Sequence, residues 1–415
     1  MTREIVRSEY RAIKLGVTES TIGSVRTQTE DQTAVRIMDG QHIGLASACG
    51  RADIDALTRQ ATDALVFGIP CTADPGCNTS LSVEHAGPVR DVDELVGLTE
   101  GVLEQLRADF PQFVFSHGVE QQELAWHIES DAGLDLHYRR VATQVAFIAK
   151  EKGSGNIFDT FVGVEGPTVD VEGVLGSFRE HLAAYLNPVD PPSGRRVVVF
   201  PGAGGMAGSG LFQLFRSDLT ARSVASGSSL FHGMVGDGRA HFSERFGLHE
   251  WRDHRTGRVC PFDMEGTVRD PLDLAIIADG RVCGVAASKR DAERYGLPAT
   301  GTAVGDVGTL PTSGFGRLRV APTVDRLADA LDGDGALLVW FVSGSDCTRT
   351  GDIALPVAVA LALDANGRPT GRVPGFTLTG NLFDVFGADY IGATRQRIDP
   401  FSDESFLVAR MTVQP

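Results

Sequence analysis

The sequence has no apolar run long enough to cross a bilayer. Its most apolar stretch, ALPVAVALALD at 354–364, falls far short of the roughly 20 residues a spanning helix needs and reads as a buried strand. The opening MTREIVRSEYRAIKLG contains no apolar segment of a secretory leader. A soluble, unexported, cytoplasmic protein with no membrane partner is expected. Basic charge is scarce: 38 Lys and Arg stand against 54 Asp and Glu, a formal net charge of −16. Such a surface repels phosphate backbones, so nucleic acid is not an expected direct partner. The acids are scattered, as on a solvated surface. Cysteine is sparse, at 49, 71, 77, 260, 283 and 347, with no C-x-x-C. Cys71 and Cys77 are the only close pair, and their spacing fits no common zinc motif. Six thiols are too few for a disulfide framework in a chain of 415 residues, and reduced thiols fit a cytoplasmic setting.

That length suggests two or three folding units. TAVRIMDGQHIGLASAC (33–49) reads as a hairpin turning at Asp39-Gly40. RADIDALTRQATDALVFG (51–68) reads as a helix capped by Asp53, with Ile54, Leu57, Ala61 and Leu65 on one face and Gly68 ending it. Residues 69–90 look loop-like, with three prolines. A second helix fits 91–110, stopped by Pro111. A strand, a turn at Asp131-Ala132-Gly133 and one long strand or two follow, then a helix over about 168–187. The proline-rich NPVDPPSGR (187–195) is the clearest linker. After it come the strand RRVVVF, the glycine-rich PGAGGMAGSG and a helix around 211–224. From 240 onward the chain reads as strand-rich, with hairpins over Asp279-Gly280 and Asn366-Gly367 and a core strand in GALLVWFVSG. Helices thus concentrate before 225 and antiparallel strands after it, which argues for α+β over a doubly wound α/β sheet. The expected units are an N-terminal βα domain (1–90), a central α+β region (91–190), a linker (191–195) and a C-terminal β-rich domain (196–415). The N-terminal part is expected to be α/β-sandwich-like.

Two motifs invite a chemical reading. GLHEWRDHRTG (247–257) holds His249, Glu250 and His254 as H-E-x-x-x-H. In the zinc motif H-E-x-x-H the histidines stand roughly 40° apart around a helix, so both reach one metal and the glutamate is poised as base. Here they are five apart, roughly 140° on the same arithmetic. Flanking glycines and solvated Arg252, Asp253 and Arg255 favour a polar strand end or loop. The second motif, VVVFPGAGGMAGSG, holds G-x-G-x-x-A at Gly202, Gly204 and Ala207, between a strand and a helix as a dinucleotide fingerprint requires. Pro201 stiffens the turn, and no second strand ending in an acid follows, so a tight strand-to-helix crossing is the simpler reading. Ser209 has no glycine two residues before it, which excludes a nucleophile elbow. His117, His127 and His137 fall ten apart in a strand-rich region, but a turn interrupts them and they form no ligand spacing.

Three blocks in the second half, PFDMEGT (261–267), IIADGRVCGVAASKRDAERYGLPATG (276–301) and TGDIALPVAVALALDANGRPTGRVPGFTLTGNLFDVF (350–386), follow one another in an order and spacing that resemble the TldD/PmbA family of peptidase-related proteins. VRIMDGQHIGLASA and IESDAGLDLHYRRV extend the resemblance over most of 12–415. In that family the TldD kind carries H-E-x-x-x-H on the helix after the glycine-rich turn, and a distant cysteine completes its zinc site. The PmbA kind, also called TldE, lacks these ligands and pairs with the first in a heterodimeric peptidase cleaving unstructured peptides. The corresponding helix here begins at SGLFQLF, where Ser209, Gly210 and Leu214 offer no zinc ligand, and the tail after 391 has no cysteine. The resemblance therefore implies a PmbA-like, metal-free, non-catalytic subunit, with His249, Glu250 and His254 a coincidental match. It implies zinc on a TldD-like partner, an unfolded or precursor (leader) peptide as substrate, and peptide contacts around Asp352, Thr377 and Asn381. Strand addition could hold such a peptide, with strand edges around 336–343 and 371–380 available for it. Homodimerisation stays open. The alternatives are a stand-alone enzyme using His249, Glu250 and His254 for zinc or Gly202–Ala207 for a nucleotide, a peptide-binding scaffold without a peptidase partner, and a gyrase modulator docking on a basic protein surface.

Overall fold

In the computed structural model, which describes residues 1–71, 78–157, 159–190, 192–203, 206–399 and 401–415, the first strands form one long hairpin. Thr2–Thr18 (β1) and Thr21–Met38 (β2) pair antiparallel around Glu19 and Ser20, both at positive φ (49° and 63°). Ile43–Cys49 (β3) folds back on β2 through the expected turn, whose Asp39 Oδ1 accepts from the backbone N–H groups of Gln41 and His42. Thr79–His85 (β4), Phe113–Ser130 (β5), Leu134–Glu151 (β6) and Thr160–Gly166 (β7) complete a seven-stranded sheet. Its order is β3-β2-β1-β5-β6, and the far side of β6 takes β4 in parallel and β7 in antiparallel pairing. The sheet draws strands from both sides of residue 90. β4 corrects the loop-like reading of 69–90. Its partner lies some fifty residues away in sequence, at 134–140, and no local signal reveals such a pairing.

The first three helices form where expected. Ile54–Asp63 (α1) is capped by Asp53 and Val92–Asp109 (α2) by an Asp91/Glu94 capping box, and Val171–Tyr185 (α3) is capped by Asp170. Leu57 and Ala61 of α1 pack on Ile5, Val35 and Ile37, while α2 and α3 pack on Phe115, Val145 and Phe147. The helix expected at 211–224 is instead three short ones, Met206–Leu211 (α4), Gln213–Asp218 (α5) and Ala221–Ala225 (α6). Phe212 leaves helical geometry (φ −91°, ψ 3°), and Thr220 turns extended to cap α6.

Gly194–Pro201 (β8) opens the second half. Leu248–Glu250 (β9), Leu274–Ala278 (β10) and Arg281–Val282 (β11) form a small sheet with Leu318–Val320 (β14), while Ala303–Val304 (β12) pairs with Thr312–Ser313 (β13). Asp279 and Gly280 turn the β10–β11 hairpin, both at positive φ. Much of 251–273 is irregular, which narrows the strand-rich expectation for this half. The larger sheet holds Ala336–Val342 (β15), Asp346–Cys347 (β16), Asp352–Leu363 (β17), Pro369–Val373 (β18), Phe376–Asn381 (β19), Tyr390–Arg397 (β20) and Ser405–Gln414 (β21) together with β8. Pairing runs β15-β8-β21-β19-β17 and returns from β17 to β15, so these strands close a ring. One face, including Phe200, Val339, Leu355 and Leu378, packs on Phe212 and Phe215 of the short helices. The other, with Val199, Leu338, Leu361 and Val408, joins the core under α2 and α3. The chain is α+β, with largely antiparallel sheets. Among the described residues no helix is long and apolar enough to cross a membrane.

Candidate functional site

At one end of the ring, the register of β17 and β19 sets Asp352 directly opposite Asn381. The loop before β17 closes on itself. Thr348 N–H donates to the Asp352 carbonyl at 2.9 Å and Asp352 N–H to Thr348 Oγ1 at 3.0 Å. Gly351 has φ +87°, and a Cβ there would stand 3.3 Å from the Phe383 ring, so glycine meets both demands. The exposed Asp352 carboxylate is held from both sides. Asn381 Nδ2 donates to Oδ1 at 3.0 Å, and Thr350 Oγ1 (2.7 Å) and Thr348 Oγ1 (3.1 Å) donate to Oδ2. These bonds, Asn381's foremost, hold the carboxyl below the usual range. Asn381 Oδ1 also accepts from Phe383 N–H, capping Leu382–Val385 (α7). The arrangement presents an ionised carboxylate in a fixed orientation, able to accept a further N–H. Thr377 shares this face of β19 but pairs with Pro356 and Gln414. It is four positions from Asn381, about 13 Å at roughly 3.3 Å per residue. The structure therefore brings Asp352 and Asn381 together and leaves Thr377 apart.

The strand edges expected at 336–343 and 371–380 are corrected. β15 is flanked by β8 and β17, and β19 by β17 and β21. The outer side of β18 is bonded through Arg372 to Asn187 and Val189. Ring closure uses both sides of β15 at 337–338 and of β19 at 377–379. The two-residue β16 pairs only with β17 among the described residues.

His249 and Glu250 lie on β9, between β10 and β14, so strand alternation sends their side chains to opposite faces. Glu250 is fully buried. It accepts from Gly316 N–H (3.1 Å) and Arg317 N–H (3.2 Å) and pairs with the buried Arg252 at 3.1 Å. Burial pushes the His249 imidazole below its ordinary value. His254 lies beyond the strand, in an irregular turn. Among the described residues, one group of His, Cys, Asp and Glu brings three donor atoms within 4.8 Å of one another, and it is His127, Asp135 and His137. The histidines at intervals of ten were expected to form no ligand set, and the hairpin register brings two of them together; the local signal is symmetry, since His127 and His137 are each five residues from Ala132, at the centre of the turn.

Gly204 lies outside the described residues, as does Cys77. Of the glycine-rich turn, Gly202 has φ +71°, and a Cβ on Gly208 would stand 1.8 Å from the Gly202 carbonyl oxygen. Ala207 is fully buried in the core. These small residues are used by a close strand-to-helix crossing. A Cβ on Gly210 would stand 3.3 Å from Ser345 Cβ, so α4 faces the loop leading to β16 and the Asp352 turn. Cavities border the contact between the halves, two of them beside residues already described. One of about 480 Å³ is lined by Phe161, Trp340, Phe341, Glu165 and Asp399, among others. The other, about 320 Å³, has Arg140, Arg252, Arg258 and Arg317 in its wall.

Residues 195–414 match the family model described as the PmbA/TldA metallopeptidase C-terminal domain. No curated protein matches the sequence. Among solved structures, TldE from Thermococcus kodakarensis aligns with a TM-score of 0.75 at 18% identity, over 100% of this chain and 96% of its own. A protein from Thermotoga maritima, described as a candidate modulator of a DNA gyrase, gives 0.78 at 15% identity over 99% and 96%. A similarly described protein from Bacteroides thetaiotaomicron gives 0.75 at 16% over 99% and 93%. At these identities the likeness is one of fold.

Proposed function

The chain belongs to the TldD/PmbA family of metallopeptidase-related proteins, and from that premise we propose that it is the non-catalytic subunit of a two-chain zinc peptidase acting on unfolded or precursor peptides. The observation that carries this reading is the composition of the segment after β8. Where the family resemblance puts the metal helix, residues 206–217 read MAGSGLFQLFRS, without histidine, cysteine or acid. Zinc hydrolysis needs a Lewis acid to polarise the scissile carbonyl and activate water. The residues at this position do not fit a zinc ion, and no step is assigned to one here. The other H-E-x-x-x-H supports the same reading, because its glutamate is already committed to two backbone N–H groups and Arg252. Zinc and bond cleavage then reside on a TldD-like partner. This chain contributes the Asp352–Asn381 turn and the short β16 edge beside it, where an extended peptide adds as a strand.

The test is a peptidase assay on this chain alone, on a TldD-like partner alone and on the mixture, with size-exclusion chromatography of each. Activity confined to the mixture, with a complex of both chains, is expected. Hydrolysis by this chain alone that disappears in His249→Ala would overturn the reading.

A further inference from the structure

β5 and β6 are joined by a turn at 131–133, and their register makes His127 and His137 direct cross-strand partners. Both imidazoles therefore leave the sheet on one face, where Asp135, two residues before His137, also points. The rings stack with centroids 3.8 Å apart and 17° between planes. His127 Nε2 and His137 Nε2 each lie 3.0 Å from the same oxygen, Asp135 Oδ1. The face is covered at one corner by α1 and at the other end by α2 and α3. Between them it stays open, with the three side chains 23%, 54% and 47% exposed in chain order.

From this geometry we infer that His127, Asp135 and His137 form a binding site for a divalent first-row cation, with zinc the best match to two imidazoles and one carboxylate. Tetrahedral zinc holds nitrogen at 2.0–2.1 Å and carboxylate oxygen at 2.0–2.2 Å, which sets ligand atoms roughly 3.3 Å apart. The two nitrogen–oxygen separations of 3.0 Å are thus within about 0.3 Å of a coordination edge, and the two rings, stacked 17° from parallel, must rotate out of the stack to aim their in-plane lone pairs at one ion. Solvent supplies the remaining position. One neighbour competes. Arg7 Nη1 stands 3.3 Å from His127 Nδ1 and 2.5 Å from Glu129 Oε1. Coordination through Nε2 places the ring proton on Nδ1, so Arg7 must give up the longer contact and keep the shorter one. The site is independent of the peptidase reading, since it lies on another sheet and needs no partner.

The experiment titrates zinc chloride into the purified full-length chain by calorimetry and follows the imidazole 15N signals by NMR. One equivalent binds, and the signals of His127 and His137 shift. His127→Gln and His137→Gln weaken binding by more than the roughly 10–100-fold that losing an outer-shell partner costs. Asp135→Asn weakens it, Arg7→Ala tightens it by removing the competing cation, and His249→Ala leaves it unchanged. No binding by the parent chain, or affinity unchanged in His137→Gln, overturns the inference. Zinc bound in His137→Gln but lost in His249→Ala overturns both this inference and the non-catalytic reading. Because the side chains are exposed, the variants fold, which the unchanged backbone amide spectrum verifies.

Discussion

Glu250 separates a structural carboxylate from a catalytic one. It is 0% exposed and accepts two backbone N–H bonds, and it neutralises Arg252, itself 6% exposed. Glu250→Ala leaves the Gly316 and Arg317 amides without an acceptor and strands a buried guanidinium. Orphaning a buried donor costs about 1–3 kcal/mol, and breaking a buried ion pair by removing one partner costs about 3–5 kcal/mol. These terms overlap, because the same desolvated pocket is counted in both, so about 3–5 kcal/mol is the expected loss. Urea unfolding followed by tryptophan fluorescence measures it, since Trp251 is the adjacent residue. Adding Arg252→Met recovers most of the loss, because removing both charges is commonly near neutral. In the mixture with a TldD-like partner, Glu250→Gln keeps peptidase activity at a temperature where it is folded. A glutamate acting as base on a zinc-bound water would behave in the opposite way, with hydrolysis abolished and stability unchanged. That outcome would refute the structural assignment.

Other perturbations follow from the same contacts. Burial, with Asp263 nearby, pushes the Glu265 carboxyl up from 4.5 in the unfolded chain to about 7. The folded chain then holds a proton that the unfolded chain releases. The contribution is fully present below pH 4.5 and is lost as pH rises through about 7. Relative to Glu265→Gln, the parent should lose about 3 kcal/mol across that window, at 1.36 kcal/mol per pKa unit, as read from urea midpoints at several pH values. Arg36, 2% exposed, donates to Glu4 Oε1 at 2.8 Å and to the Met264 carbonyl at 2.7 Å. Arg36→Met leaves Glu4 buried and unpaired, at about 3–5 kcal/mol, with faster amide hydrogen exchange expected both in β1 and around Met264. Asn381→Ala removes the foremost donor to Asp352 and a helix cap, costing about 1 kcal/mol. It also moves the Asp352 carboxyl up towards its ordinary value, which a carboxyl 13C titration detects.

What the sequence disclosed depended on whether the deciding interaction was local. Asp53 announces a helix because a cap acts within four residues, and Pro111 marks the end of the next, and both helices stand where expected. Asp279-Gly280 and Asn366-Gly367 announce hairpins because a turn residue at positive φ is a local demand. The β1–β2 hairpin escaped notice for the same reason inverted: its turn uses Glu19 and Ser20 at positive φ, residues that carry no turn signal. β4 and the closure of the ring were invisible because parallel and return pairings depend on partners far along the chain. At the candidate site, Asp352 and Asn381 were legible as motif ends, and only the register showed that they share a hydrogen bond. The H-E-x-x-x-H failed as a helix motif because a strand carries His249 and Glu250 and sends them to opposite faces, while His254 lies in the turn beyond it.

The PFDMEGT block marks architecture more than chemistry. In PFDMEGT, Asp263 is 2% exposed and its two oxygens accept from the backbone N–H groups of Glu265, Thr267 and Ala303. The turn it builds presents the Met264 carbonyl to Arg36, which Glu4 neutralises from the neighbouring strand. The same turn buries Phe262 and Met264 against Val6, Ile128 and Leu136 of the first sheet. An aspartate is required because three donors converge on one side chain, and the glycine at 266 is required because φ is +68° with a Cβ reaching to 2.6 Å from Leu134. The block thus docks the second half onto the first. A chain can keep it, and with it the family fold, whether or not its own α4 carries a metal ligand. This is why the family can be recognised from such a block while the proposed non-catalytic role rests on the helix that follows β8.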